Sequence, residues 1–207
     1  MFDIWSAAHA GSLRFARFAC LAGVIAFTGC ATHYIDGSTK EVAAASFRKP
    51  AEPKPVQLLF EFQTKGALNT RATDFLKAQV TEQVKGSGLF ASVDDKPVAG
   101  GGLLSVTLNN VPLTDDAFTK GFVTGFTFGL VGSQVSDGYV CTVKYAAAQQ
   151  NDMIVKTARH AIHTAMGAKD APPNSVKAEN ITIAVQTMTR QIVSSALNEL
   201  SQDASFK

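Results

Sequence analysis

From Val56 to Phe62 the chain reads Val-Gln-Leu-Leu-Phe-Glu-Phe, and Leu58, Phe60 and Phe62 recur every second residue. That is the period of a half-buried strand. The period then lengthens. Asn69 or Thr70 can cap a helix running to about Lys85, with Ala72, Phe75, Leu76, Val80 and Val84 as its apolar stripe, and Gly86 and Gly88 end it. A short strand is expected over Leu89–Val93, then a turn-rich connection over 94–102. Leu104, Val106 and Leu108 alternate with Ser105, Thr107 and Asn109 as another strand. Tyr139, Cys141, Val143 and Tyr145 alternate with Val140, Thr142 and Lys144 as the next, and Met153–Met166 follows after a hairpin at 149–152. Pro172 and Pro173 mark a loop. Ser175 can cap a long helix to about Gln202, whose stripe is Ile181, Val185, Met188, Ile192, Ala196 and Leu200. This order predicts an α+β fold, a mainly antiparallel sheet of about five strands packed by two helices, in a single domain over 56–207.

The preceding stretch has a different texture. Residues 30–55 show no periodic apolar face and carry Gly37, Ser38, Pro50, Pro53 and Pro55, so they read as a proline-stiffened tether. Ahead of them, Arg14 and Arg17 precede an apolar run from Phe18 to Phe27. Ten residues rising about 1.5 Å each span about half of a ~30 Å hydrocarbon core, which suits a secretory signal rather than a membrane-spanning helix.

The run ends in Phe27-Thr28-Gly29-Cys30, which resembles the lipobox of bacterial lipoproteins. The resemblance covers the first 30 residues, with Phe27 standing where that motif usually has Leu. It implies a signal peptide over 1–29, cleavage before Cys30, and fatty acyl chains such as palmitate on that cysteine as the membrane anchor. Ala31 rather than Asp directly after the cysteine implies sorting to the outer membrane, on its periplasmic face. More than one acyl chain makes a stable anchor, at about 0.8 kcal/mol per buried methylene. Over 56–202 the order and lengths of the elements also resemble small domains of envelope lipoproteins, among them the amino-terminal domain of the Tol translocation protein and the penicillin-binding-protein activators.

With Cys20 removed and Cys30 lipidated, Cys141 is left alone, so no disulfide can form within the mature chain. Its alternating apolar setting reads as a small buried hydrophobe.

One segment stands apart. From Gly121 to Ser136 there is no charge, Gly121, Gly125 and Gly129 are spaced by four, and Phe118, Phe122 and Phe126 repeat at the same interval. As a helix this would place a glycine groove beside a row of phenylalanines, open to close approach by another backbone. The glycine density also fits a β-arm. Three readings of 117–136 stand side by side: a connection folded over the domain's own sheet, a surface for self-association or an envelope partner, and a loop dipping into the membrane beside the anchor.

Composition narrows the rest. Apolar residues make up 46% and charged residues 17% of 207, enough for a core and too little charge for disorder. The net charge of +2 falls to +1 once Asp3, Arg14 and Arg17 leave with the signal, so no basic face is available for nucleic acid. His160 and His163, on a strand, point to opposite faces and cannot share a metal. Asp94–Asp95 and Asp115–Asp116 are neighbouring turn residues, and no phosphate-cradling or nucleophile-elbow motif occurs. No cofactor, metal or catalytic residue is expected. The functional expectation is a non-enzymatic interaction module in the cell envelope that binds itself or a partner through Gly121, Phe122, Gly125, Phe126 and Gly129. The alternative is an accessory lipoprotein for lipid or small-molecule transport with an apolar pocket.

Overall fold

The structure, a computed structural model, describes residues 31–112, 134–148, 152–167 and 171–207. These belong to a compact unit spanning Ala31–Lys207. Cys30 and the glycines and phenylalanines of 121–129 lie outside the described residues.

Eight strands and two long helices form among the described residues. They are β1 (Ala31–Asp36), β2 (Val56–Thr64), β3 (Ala67–Leu68), α1 (Thr70–Gly86), β4 (Val93–Asp94), β5 (Gly102–Pro112), β6 (Gln134–Ala146), β7 (Met153–Met166), β8 (Ser175–Lys177) and α2 (Ile181–Gln202). The sheet runs β3-β2-β5-β6-β7-β1-β8, with β4 also on β2. The expectation of an α+β fold with two helices agrees with this. The sheet is larger than the five strands expected, and it is mixed. β2 and β5 pair in parallel from Val56 opposite Gly102 to Thr64 opposite Asn110. Parallel neighbours need a crossover connection, and α1 lies in it.

Both helices cover one face of the sheet. Against it lie Val56, Leu58 and Phe62 of β2, Leu104, Val106 and Leu108 of β5, and Tyr139, Cys141, Val143 and Tyr145 of β6, all buried. Asn69 caps α1 by accepting the Ala72 N–H at 3.0 Å. Leu76, Val80 and Val84, four apart, make its buried face. Phe75, expected in that stripe, stands one position round the helix and is 50% exposed. The two helices run side by side in the same direction: the Gln79 amide donates to the Gln186 carbonyl at 2.8 Å, and Gln83 to the Arg190 carbonyl at 2.7 Å.

Three boundaries differ from expectation. α2 starts at Ile181, with Asn180 Oδ1 accepting the Ile183 N–H at 3.0 Å, because Ser175–Lys177 goes instead to the sheet as β8, beside Tyr34–Asp36. Only Val93–Asp94 of the short strand expected at 89–93 pairs, while Leu89 and Phe90 bury their side chains.

The third difference is the largest: residues 31–55 are not a tether. Ala31–Ile35 pair antiparallel with Ile162–Met166. Tyr34, Ile35 and Phe47 are buried. Beyond β1 the chain is strapped to α2, where Ser194 Oγ accepts the Val42 N–H at 2.9 Å and Ser201 Oγ accepts the Arg48 N–H at 3.2 Å. The Arg48 guanidinium donates to the carbonyls of Ser201 and Asp203. The prolines stiffen a strap whose partners lie more than a hundred residues away.

Deleting Ala31–Asp36 therefore should destabilise the domain by several kcal/mol. Each fully buried side chain of the Tyr34 and Ile35 kind contributes ~1.5–3 kcal/mol, out of a usual total near 5–15. Denaturant unfolding of the two chains measures it, and a true tether would give superimposable curves.

Candidate functional site

The face of the sheet away from the helices is buried at one end. Side chains alternate along β7: Ile154, Ala158, His160 and Ile162 face the helices, and Ala161, His163 and Ala165 face away, yet all three of the latter are buried. In register, His163 lies opposite Tyr34 of β1 and Ser136 of β6, so the three point to the same side. Asp36, two residues beyond Tyr34, shares that side.

These residues form a hydrogen-bonded chain. The Ser136 hydroxyl is 2.8 Å from His163 Nδ1, and His163 Nε2 is 3.5 Å from Asp36 Oδ2. A carboxylate only accepts, so Nε2 carries the proton toward Asp36. The other Asp36 oxygen accepts the Ser38 N–H at 2.8 Å and the Ser38 hydroxyl. Burial alone would raise the Asp36 carboxyl, but the bonds from His163 and Ser38 outweigh it and hold it below the ordinary carboxylate range.

Serine, histidine and aspartate in line are the parts of a nucleophilic relay, in which an imidazole accepts the serine proton. Here the serine sits in mid-strand with its residue only 7% exposed, and all three side chains are out of reach of a solute. What the chain of bonds does in place is join β1 to β7 and β7 to β6. Removing one partner of such a buried pair typically costs 3–5 kcal/mol, since the other is left uncompensated.

His160, on the opposite face, is separate from this group, as its odd spacing from His163 requires. Its Nε2 lies 2.7 Å from Gln191 Oε1 on α2, and its Nδ1 accepts the Ala161 N–H at 2.8 Å. Burial pushes its pKa below that of a free imidazole, so it is held neutral. Among the described residues no group of three or more His, Cys, Asp or Glu is placed to hold a metal. Cys141 is fully buried between the sheet and the helices, and desolvation pushes its thiol up to about 12.

An open depression of about 360 Å³ lies where the first turns of α1 and α2 meet, lined by Asn69, Arg71, Ala72, Phe75 and Thr182. Among the described residues no helix is long and apolar enough to cross a membrane.

Sequence reasoning singled out His163 only as a partner for His160, and missed Asp36 and Ser136. A signal existed. Ala161, Ala165 and Gly138 are small residues around His163 on the outward face, a composition unlike that of a solvated sheet surface.

The sites expected from the sequence, Cys30 and Gly121–Gly129, are outside the described residues, but their flanks are not. Ala31, bonded to Cys30, pairs with Met166. Gln134, the first described residue after the Gly/Phe segment, pairs with Ala165, and Pro112, the last described residue before it, pairs with Asp137. All of these lie at one end of the sheet.

No protein-family model matches the sequence, and comparison with curated proteins finds no match. Among solved structures the chain is similar to a PelC dodecamer subunit from Paraburkholderia phytofirmans, at 11% identity over 85% of this chain and 100% of that one, with a TM-score of 0.34. It is also similar to a DUF330 protein from Xanthomonas campestris, at 15% identity over 73% and 85% with a TM-score of 0.32. A provisionally assigned lipoprotein from Caulobacter crescentus follows, at 10% identity over 71% and 82% with a TM-score of 0.24. Scores this low do not establish a common fold, and such identities carry nothing about activity.

Two outcomes follow from the buried groups. Asp36 is depressed in the folded state, so its contribution is fully present above the ordinary carboxylate pKa of about 4 and is lost as pH falls through the folded value. His160 is also depressed, so stability declines as pH drops below about 6.5, where the unfolded chain takes up a proton that the fold refuses. Urea midpoints across pH should therefore fall in two stages. His160→Gln should flatten the upper stage and Asp36→Asn the lower, and a midpoint independent of pH in the parent protein would contradict both. Separately, native Cys141 should resist thiol reagents for as long as the domain is folded and react once it unfolds, as followed by mass spectrometry.

Proposed function

We propose that the chain is a lipid-anchored, non-enzymatic interaction module of the bacterial envelope, held on the periplasmic face of the outer membrane through Cys30. Gly121, Phe122, Gly125, Phe126 and Gly129 contact a second copy or an envelope partner close to that membrane. The observation that carries this reading is the convergence in register of Ala31, Pro112 and Gln134 on one end of the sheet. The described residues on either side of the Gly/Phe-rich segment thus lie at the end of the sheet where the lipidated residue joins it.

Because β1 starts at Ala31, no spacer separates the anchor from the sheet. The domain end that bears Cys30 stays within a few ångströms of the headgroups. Phenylalanines there work at an interface where water is already depleted, and glycines four apart let another backbone come close.

Protein purified from cell membranes should carry diacylglyceryl and acyl mass at Cys30, and deletion of 119–132 should release the partner, or the copies held through that segment, while circular dichroism and thermal midpoint persist. An unmodified thiol at residue 30 refutes the anchor. A complex of unchanged mass after the deletion refutes the role of the segment.

A further inference from the structure

The outward face of the sheet is uncovered at its other end, away from the Asp36–His163 cluster. Register fixes what is there. Gln57 of β2, Leu103 of β5, Ala146 of β6 and Met153 of β7 form one row across four strands. In the next row stand Leu59 of β2, Ser105, Lys144 and Val155. Leu59, Leu103, Met153 and Val155 are 46%, 39%, 56% and 50% exposed. Four large apolar side chains thus sit together on a flat pleated surface, where isolated ones would be unremarkable. The following row is Glu61, Thr107, Thr142 and Thr157, and Arg159 stands one position further along β7.

We infer that this face is an interface between two copies of the chain, stacked sheet on sheet with the helices outermost. The pattern is self-complementary about one axis. A two-fold axis parallel to the strands and between β5 and β6 exchanges β2 with β7 and β5 with β6 at the same row. Leu59 of one copy then lies on Val155 of the other, Leu103 on Ala146, Met153 on Gln57, Lys144 on Ser105, and Thr107 on Thr142. Glu61 comes opposite Thr157, one row from the second copy's Arg159 and diagonal to its Lys144, one row and one column away, so its charge faces opposite charge beside the apolar rows. The perpendicular in-plane axis would set the leucines over the polar row instead. The geometry is that of an aligned sandwich, whose inner layers lie ~10 Å apart.

Size sets the strength. Four strands at ~4.8 Å and seven residues at ~3.3 Å give a footprint of about 440 Å² per copy, or near 900 Å² in all. That is below the ~1,200–2,000 Å² of a standard stable interface, so the pair is weak in dilute solution. Confinement to one membrane raises the effective concentration and favours it. This last step rests on the anchor proposed above; the interface itself does not.

Cross-linking tests the arrangement. Leu59→Cys and Val155→Cys chains co-expressed at full length should form a mixed dimer with a bismaleimide cross-linker of about 10 Å reach, since facing sheets stand too far apart for a direct disulfide, while either alone should give little, because the axis places Leu59 on Val155 and not on itself. Residues 31–207, whose core is drawn from positions 35–206, should show reversible dimerisation by sedimentation equilibrium. Val155→Glu and Met153→Glu, both at exposed positions, should each weaken it by about tenfold or more with the thermal midpoint unchanged. Val176→Glu, exposed at the far edge, should not. The dimer should survive deletion of 119–132, which separates this interface from the one proposed for that segment. Parent protein that stays monomeric throughout the concentration series, equal cross-linking of Leu59→Cys with itself, or a glutamate variant that dimerises as before would overturn the inference. So would binding of the patch to lipid vesicles by a monomer.

Discussion

A strand that starts at residue 31 has no choice of partner in its own neighbourhood, and the architecture of the unit follows from where it finds one. β1 lies between β7 and β8, elements separated from it by well over a hundred residues. Its outward side chains bring a carboxylate, Asp36, into a nearly dry position. A carboxylate there is tolerable only if its charge and lone pairs are met, and His163, Ser38 and the Ser38 N–H meet them. The strap from 37 to 55 inherits its path from that fixed point, and its contacts with Ser194 and Ser201 hold α2 from outside. One buried ionisable cluster therefore couples the first strand to the middle of the sheet, and through the strap to the last helix.

What the sequence disclosed, and what it hid, divides along the range of the interactions. Elements whose signal is local were legible: the alternation in β5, β6 and β7, the i, i+4 row Leu76, Val80 and Val84, and the Asn69 cap all reflect contacts that repeat along one element. β1 was not, because six residues reading Ala-Thr-His-Tyr-Ile-Asp contain no repeat; their strand character comes from the Ile162–Met166 backbone opposite. The start of α2 was missed for the same reason. Ser175 is a competent cap by itself, and the pull of Tyr34–Asp36 decided against it. The parallel pairing of β2 with β5 leaves no mark on either strand's period. Asp36, His163 and Ser136 are each ordinary polar residues until pairing puts them on one side of one sheet.

This cluster also warns against reading catalysis from composition. Serine, histidine and aspartate in hydrogen-bonded sequence satisfy the chemistry of proton transfer, and a search on distances alone would stop there. The deciding quantity is access. Ser136 is in mid-strand, paired with His163 of β7, and its side chain is buried. Among the described residues this geometry has one direct consequence: strands held together.

The two ends of the outward face are opposites, and the contrast bears on how the molecule uses its surface. At the β1 end small residues and a satisfied polar cluster are sealed from water, while at the far end large aliphatic side chains are left in it. A sheet with helices on one side has no intrinsic reason to differ so sharply along its length, since strand propensity and twist act alike at both ends. The difference lies in the side chains chosen: Ala161 and Ala165 where β1 and β6 bracket a buried imidazole, Met153 and Val155 eight and six residues before Ala161 on the same strand. Aliphatic bulk at exposed sheet positions costs solubility and gains nothing inside the monomer. It becomes intelligible if a rotated copy of the same face covers it, with Glu61 of one copy set near Lys144 and Arg159 of the other.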